Sequence, residues 1–337
     1  MRNLHNEMLS RFLATPGRFG IYGTGAVGQA ALRQLSECGL KPAAFLDSDR
    51  TGELLGLEIL PPEEALALDS VITAGRDARD MTVQLRGDGF EGPVLDLTGA
   101  CRSALRAHHD ERLLDEAADA IASARSLLRD DGSREIFDAV LGYRRNLDPG
   151  ELPPAPPATG HEAVPIGDGE WLLAVGLVRS AIAELAEAVG PCGRVHVLEP
   201  DPARRQSVTD LAETDASGAR LVIHPLACGG ARHPAAEDGR GDAPTLVTVD
   251  EFVWEKTAGR VDRLEIACPG AGEILDGASA TLAEHRPRIA IDVGRACSDL
   301  WEIPIRLKER APGYRLYLAH HSQSLTGTRC YARPSDA

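Results

Sequence analysis

Aromatic residues make up only 4% of this chain, so its cores must be filled by Leu, Val, Ile and Ala, which bring the hydrophobic share to 43%. No Cys-x-x-Cys pair occurs among Cys38, Cys101, Cys192, Cys228, Cys268, Cys297 and Cys330, and seven is an odd number. That pattern excludes a disulfide framework and a zinc site, and reads as reduced thiols in a cytoplasmic protein without a metal. No apolar run reaches the roughly 18 residues a membrane span needs, so no membrane partner is expected. The opening MRNLHNEMLSRFLATPGRFG lacks the apolar core of a signal peptide. Lysine is scarce and the net charge is -15. A broad phosphate-neutralising surface is therefore missing, which argues against nucleic acid as a partner.

What is present is an alternation of strands and helices over 337 residues, enough for two domains. Phe19-Gly20-Ile21-Tyr22 reads as a strand, Gly23-Thr24-Gly25-Ala26-Val27-Gly28 as a glycine turn, AALRQLSECG as a helix and PAAFLD as a second strand. In a Rossmann-like unit Gly23 serves the tight turn, Gly25 the approach of a pyrophosphate and Gly28 the packing of helix on strand. Asp47 stands about 20 residues on, where an acid takes ribose hydroxyls. Gly23, Gly25, Gly28 and Asp47 are thus candidates for holding a nucleotide, although a glycine turn also serves packing with no ligand. SDRTGELLGLEILPPEEA reads as an irregular connector, followed by strands at SVITAG and PVLDL.

Residues 101–147 carry apolar positions at helical spacing, with Ser133 as a candidate N-cap before REIFDAVLGYRR. DPGELPPAPPATGHEAVP, rich in Pro and Gly, marks a linker or exposed loop. The expected division is a Rossmann-like module over 1–100, a helical region and linker over 101–160, and a second α/β domain over 161–337. In the last of these, strands at WLLAVG, RVHVLEP, ARLVIHPLA, RLEIACPG, PRIAIDVG, YRLYLAHH and TRCYA alternate with helices. This predicts a mainly parallel, doubly wound sheet, ending in an antiparallel pair because only a short turn separates the last two strands.

The ordered set LRDDGSREIFDAVLGYR, GRVHVLEPDP, LVTVDEFV, EILDGASATLAEHRPRIAI, SDLWEIP and APGYRLYLAHHS resembles the FkbM-type methyltransferase family, in which a Rossmann-like module also precedes the core. The resemblance covers most of the chain. It implies a class I methyltransferase fold using S-adenosylmethionine on hydroxyls of sugars or natural products.

The departures fall where that chemistry would be carried. The family's first core strand ends in an acid followed by a glycine-rich turn. Here the segment is Leu173-Ala174-Val175-Gly176-Leu177-Val178-Arg179-Ser180, and only Gly176 matches. Glu199 in VLEPDP keeps the acid that the resemblance assigns to the ribose. The fourth-strand segment, Ala267-Cys268-Pro269-Gly270-Ala271-Gly272, has lost the family's acids, and Val293-Gly294 replaces a Tyr-His pair. The stretch between Leu226 and Thr245 reads as a trimmed hairpin. S-adenosylmethionine is therefore expected to bind weakly or not at all.

Ligands of doubly wound sheets sit beyond the carboxyl ends of the strands. Gly176, Arg179, Glu199, Cys268 and Asp292 are expected to gather there, joined by one of His320 and His321, since neighbours on a strand face opposite ways. Arg179 suits an anionic group, or else points to solvent or pairs with Glu199. A histidine suits proton transfer near neutral pH. Cys268 is a candidate nucleophile or a small buried filler, and His108-His109 read as surface residues. Three functional readings follow. One is a fold repurposed for elimination or cyclisation of a small anionic substrate. Another is an atypical O-methyltransferase. The third is a non-catalytic subunit beside a partner protein or in a homo-oligomer.

Overall fold

The computed structural model describes residues 15, 17–37, 39–75, 77–96, 111–146, 148–154, 160–232, 244–322 and 327–335. Cys38, Cys101, His108, His109, Gln323 and Ser324 lie outside the described residues, as do most of the N-terminal stretch and of the 226–245 loop.

The N-terminal unit runs β1 (Phe19–Tyr22), α1 (Ala26–Glu37), β2 (Ala44–Leu46), β3 (Gly52–Leu54), β4 (Leu57–Leu60), β5 (Ser70–Thr73), α2 (Ala78–Gly87) and β6 (Val94–Asp96). Its sheet has the order β3-β4-β2-β1-β5-β6. β1, β2, β5 and β6 are buried throughout, which is why they read as short continuous apolar runs. The stretch read as an irregular connector instead holds an antiparallel hairpin, β3 on β4, with β4 parallel to β2. Its two-residue turn is Leu55 (φ 52°) and Gly56 (φ 81°). Such a turn wants left-handed residues such as Asn-Gly, and leucine there hides the signal.

Three helices follow: α3 (Glu111–Glu116), α4 (Ala118–Leu127) and α5 (Asp131–Asn146). Ser133 is not the cap of α5. Asp130 is, its Oδ1 accepting from the Ser133 backbone N–H at 2.7 Å. The Ser133 hydroxyl is buried and accepts from Leu318 N–H at 3.0 Å. Together with Arg129 N–H donating to the Leu316 carbonyl (2.8 Å), it covers the backbone of a strand that lies at the edge of the second sheet.

The second sheet is built from β7 (Trp171–Val175), β8 (Arg194–Leu198), β9 (Arg220–His224), β12 (Arg263–Ile266), β13 (Arg288–Asp292), β14 (Tyr314–His320) and β15 (Thr328–Pro334), in the order β14-β15-β13-β12-β7-β8-β9. All neighbours are parallel except β15, which runs antiparallel to both β13 and β14. A two-stranded parallel pair, β10 (Ala227–Cys228) with β11 (Leu246–Val247), lies beside it in the chain. The helices α6 (Arg179–Val189) and α7 (Pro202–Thr214) cover one face, packing on Leu172, Ala174, Val195 and Val197. The other face buries Leu173, Val175, Leu264, Ile266, Ile289 and Ile291. It does so against α8 (Val249–Lys256), α9 (Ala271–Asp276), α10 (Ser279–Glu284), α11 (Asp299–Arg310) and the middle helices α4 and α5. α8 opens with a reciprocal capping box between Thr248 and Glu251.

Helix α5 also reaches the first sheet. Tyr143 donates to the Asp96 carboxylate at the end of β6. The next residue, buried Arg144, donates to the carbonyls of Cys297 (2.6 Å) and Val293 (3.0 Å) beyond β13. Among the described residues no helix is long and apolar enough to cross a membrane.

Candidate functional site

The strand order reverses at β7, which lies between β8 and β12, so the crevice of a doubly wound sheet belongs at its carboxyl end. The chain leaves β7 through Gly176, at φ 70°, a conformation suited to glycine. A Cβ added there would stand 2.5 Å from the Cys268 Cβ, so the turn rests directly on the end of β12. Ala174 is fully buried in the α6 face, and Val178, exposed at the N-cap of α6, supplies no capping side chain.

Glu199, after β8, is buried, and each of its oxygens has a partner from the chain itself. Oε1 accepts from Asp201 N–H at 2.9 Å, and Oε2 meets Arg204 Nε at 3.1 Å. The same guanidinium leans on the carbonyls of Gly176 (3.4 Å) and Leu177 (3.3 Å). The arginine on Glu199 is therefore Arg204, while Arg179 is exposed at the start of α6.

A second arginine does the same work across β12 and β13. Asp292 accepts from Gly294 N–H (2.8 Å) and from Arg295 Nε (3.1 Å), and Arg295 donates to the Ala267 carbonyl at 2.6 Å. Cys268 sits among Arg295, Glu199, Arg204 and Asp292, whose charges nearly offset one another, and burial pushes its thiol up to about 11. At neutral pH it is a thiol, a poor nucleophile.

The two histidines separate as neighbours on a strand must. The His320 ring is buried and held by Thr328 Oγ1 at 2.9 Å. His321 faces the other way, its Nε2 2.8 Å from Tyr331 Oη. Each ring is thus fastened to β15.

In the N-terminal unit Gly23, at φ 117°, abuts the Ala74 carbonyl, 2.6 Å from an added Cβ, and Gly28 abuts Gly23 itself. Both serve packing, whereas Gly25 opens on space. Asp47 sits at the tip of β2. Burial raises its carboxyl, but bonds from Thr24 (hydroxyl, 2.5 Å), Asp49 N–H and Arg50 N–H outweigh that and hold it below the ordinary value. It is a carboxylate already engaged by its own loop.

Three residues that organise these sites were not singled out in the sequence: Arg144, Arg204 and Arg295. Arg144 carried a signal, because Phe137, Val140, Leu141 and Arg144 share one helical stripe, and a charge in an apolar register calls for a buried partner. Arg204 and Arg295 sit in ordinary polar surroundings and carried none.

A seven-stranded sheet whose last strand in the chain is reversed, with a glycine turn after its first strand and an acid after its second, has the architecture of class I methyltransferases. The crystal structure of the methyltransferase FkbM from Methylobacillus flagellatus KT matches with a TM-score of 0.71 at 20% identity, over 97% of this chain and 93% of that one. The chain thus has the FkbM fold, and the match takes in the described N-terminal unit as well as the second sheet. A precorrin-6y C5,15-methyltransferase from Geobacter metallireducens GS-15 matches with a TM-score of 0.33 and 17% identity, over 50% of this chain and 81% of that one. An S-adenosylmethionine-dependent O-methyltransferase from Thermotoga maritima gives 0.33 and 16%, over 50% and 60%. No family model matches the sequence, and no curated protein does.

The residues at the carboxyl edge do not fit S-adenosylmethionine. Ala174 offers no anion to its ammonium, Leu177 and Val178 make the turn apolar, and Arg204 holds the carboxylate that would accept from the ribose.

Proposed function

We propose that this chain is a methyltransferase-fold protein that does not transfer methyl groups from S-adenosylmethionine and serves as a non-catalytic subunit beside a partner protein. The setting proposed for it is bacterial sugar or natural-product biosynthesis in the cytoplasm. The observation that carries this reading is the Arg204–Glu199 pair, which fills the nucleoside acid's coordination from within the chain. The Asp292–Arg295 pair, the protonated Cys268 and the two histidines tied to β15 support it, since each removes a candidate base or nucleophile from service. The test is complementation. A deletion strain carrying the Arg179→Ala, Asp292→Asn double variant should show the same metabolite profile as one carrying the unaltered chain, and loss of rescue by a folded variant would refute the non-catalytic reading.

A second reading has one observation in its favour. Arg179, Arg204 and Arg295 put three guanidiniums at this edge, which suits an anionic substrate undergoing elimination or cyclisation. In that case Arg179→Ala alone would abolish rescue.

A further inference from the structure

Below α6, on the sheet face opposite Leu264 and Ile266, lies a cavity of about 440 Å³. Its floor is ionic where a sheet face is ordinarily aliphatic. Arg263 and Glu265 of β12 are each 1% exposed, and Arg329 of β15 lies beside them. Glu265 joins the two cations, taking Arg263 Nε at 2.6 Å on Oε1 and an Arg329 terminal nitrogen at 2.5 Å on Oε2. Arg263 also donates to the Val164 carbonyl at 2.9 Å. Burying such a cluster is costly compared with packing aliphatic side chains of the same size, so stability alone does not explain it.

Two guanidiniums against one carboxylate leave the floor one positive charge in excess. Burial lowers the proton affinity of Arg329, but Glu265, Tyr331 and Asp292 together outweigh burial and raise it, so the charge is permanent. The planar fork of a guanidinium matches a carboxylate. The other walls differ. Leu177, Leu185 and Ile166 are apolar, while Glu184 and Glu187 line the α6 side. A ligand bearing only negative charge would meet those two carboxylates, and one bearing only positive charge would meet the floor.

We propose that this chamber binds a small zwitterion of amino-acid type, with its carboxylate on Arg329 and Arg263, its ammonium toward Glu184 and Glu187, and its apolar body against Leu177, Leu185 and Ile166. The chamber lies on the sheet face under α6; neither Glu199 nor Cys268 lines it, and it shares only Leu177 with the turn after β7. The inference therefore holds or fails independently of the function proposed above.

The experiment titrates the full-length chain by calorimetry with the standard L-amino acids one at a time, then retests the tightest binder as its carboxamide and its N-acetyl derivative. Losing a charge-assisted contact costs at least about tenfold in affinity, so both derivatives should bind at least that much more weakly. Ala181→Leu narrows the chamber from α6 and leaves all three floor charges in place. It should weaken binding by a similar factor while the melting temperature stays unchanged, and Leu185→Phe serves as a second filling variant. The proposal is overturned if no L-amino acid binds the unaltered chain more tightly than about 10 mM. It is equally overturned if the carboxamide and N-acetyl forms bind as well as the parent, or if folded filling variants retain full affinity.

Discussion

Arg204 Nε lies 3.1 Å from Glu199 Oε2, and the same guanidinium reaches the Gly176 and Leu177 carbonyls, so one side chain ties the acid after β8 to the turn after β7. Two strand ends that a doubly wound fold holds apart for a ligand are here joined by the chain itself.

Removing Arg204 should expose the strain of that arrangement. The pair involves a half-exposed arginine and is by itself worth about 1 kcal/mol or less. Glu199, however, stays buried, and Arg204→Ala leaves it with one backbone donor. The expected loss is about 1–3 kcal/mol in denaturant melts. Adding Glu199→Gln should recover part of it, because the neutral amide is cheaper to leave underpaired. Strict additivity of the two changes would contradict the coupling.

Under α6, Glu265→Gln should be more damaging, since it leaves two buried or half-buried guanidiniums without their shared anion. The expected cost is about 3–5 kcal/mol. Replacing Arg263, Glu265 and Arg329 together by Met, Leu and Met should cost far less than the single change, and urea unfolding of both variants decides the matter.

A pH dependence is built into β8 and β9. His196 Nδ1 lies 3.1 Å from His224 Nε2, the rings stack, and Phe252 packs edge-on against both. Burial first, then His224, Arg194 and Arg220, push His196 down to about 4, and burial lowers His224 as well. The native rings stay neutral where the unfolded chain takes up protons, near pH 6.5. Their contribution is therefore intact above about pH 6.5 and is lost as the pH falls toward 4, to the extent of about 2–3 kcal/mol. Thermal melts at several pH values should show a shallower acid slope for His196→Phe than for the unaltered chain; equal slopes would contradict the assignment.

The two sheets were legible because their strands are near-continuous apolar runs separated by glycine or acidic turns, a pattern that parallel strands buried on both faces must produce. The antiparallel end of the second sheet followed from loop length alone. The β3–β4 hairpin was hidden because Leu55 occupies a left-handed position that advertises no turn, and Ser133 was misplaced because Asp130, three residues earlier, is an equally good cap. At the candidate site, Glu199, Cys268 and Asp292 could be placed at strand ends from their spacing. What engages them could not: Arg204 reaches back across a helix start, and Arg295 across two strands, to carbonyls of Gly176 and Ala267 that no sequence pattern connects to them. The floor of the chamber under α6 was missed for a related reason. Arg263 and Glu265 alternate with Leu264 and Ile266, which reads as a strand with one solvated face, yet that face is buried.

The central claim is that the chain's own Arg204 holds the acid a methyl donor would need. It is tested most directly by calorimetric titration of S-adenosylmethionine into the full-length chain and into Arg204→Ala. Two or more lost charge-assisted hydrogen bonds amount to about 3 kcal/mol or more, a hundredfold or greater in affinity, so binding to the unaltered chain should be weaker than about 100 μM. Arg204→Ala should bind more tightly than the unaltered chain because Glu199 is released. A low-micromolar dissociation constant for the unaltered chain, weakened by Glu199→Gln, would contradict the account.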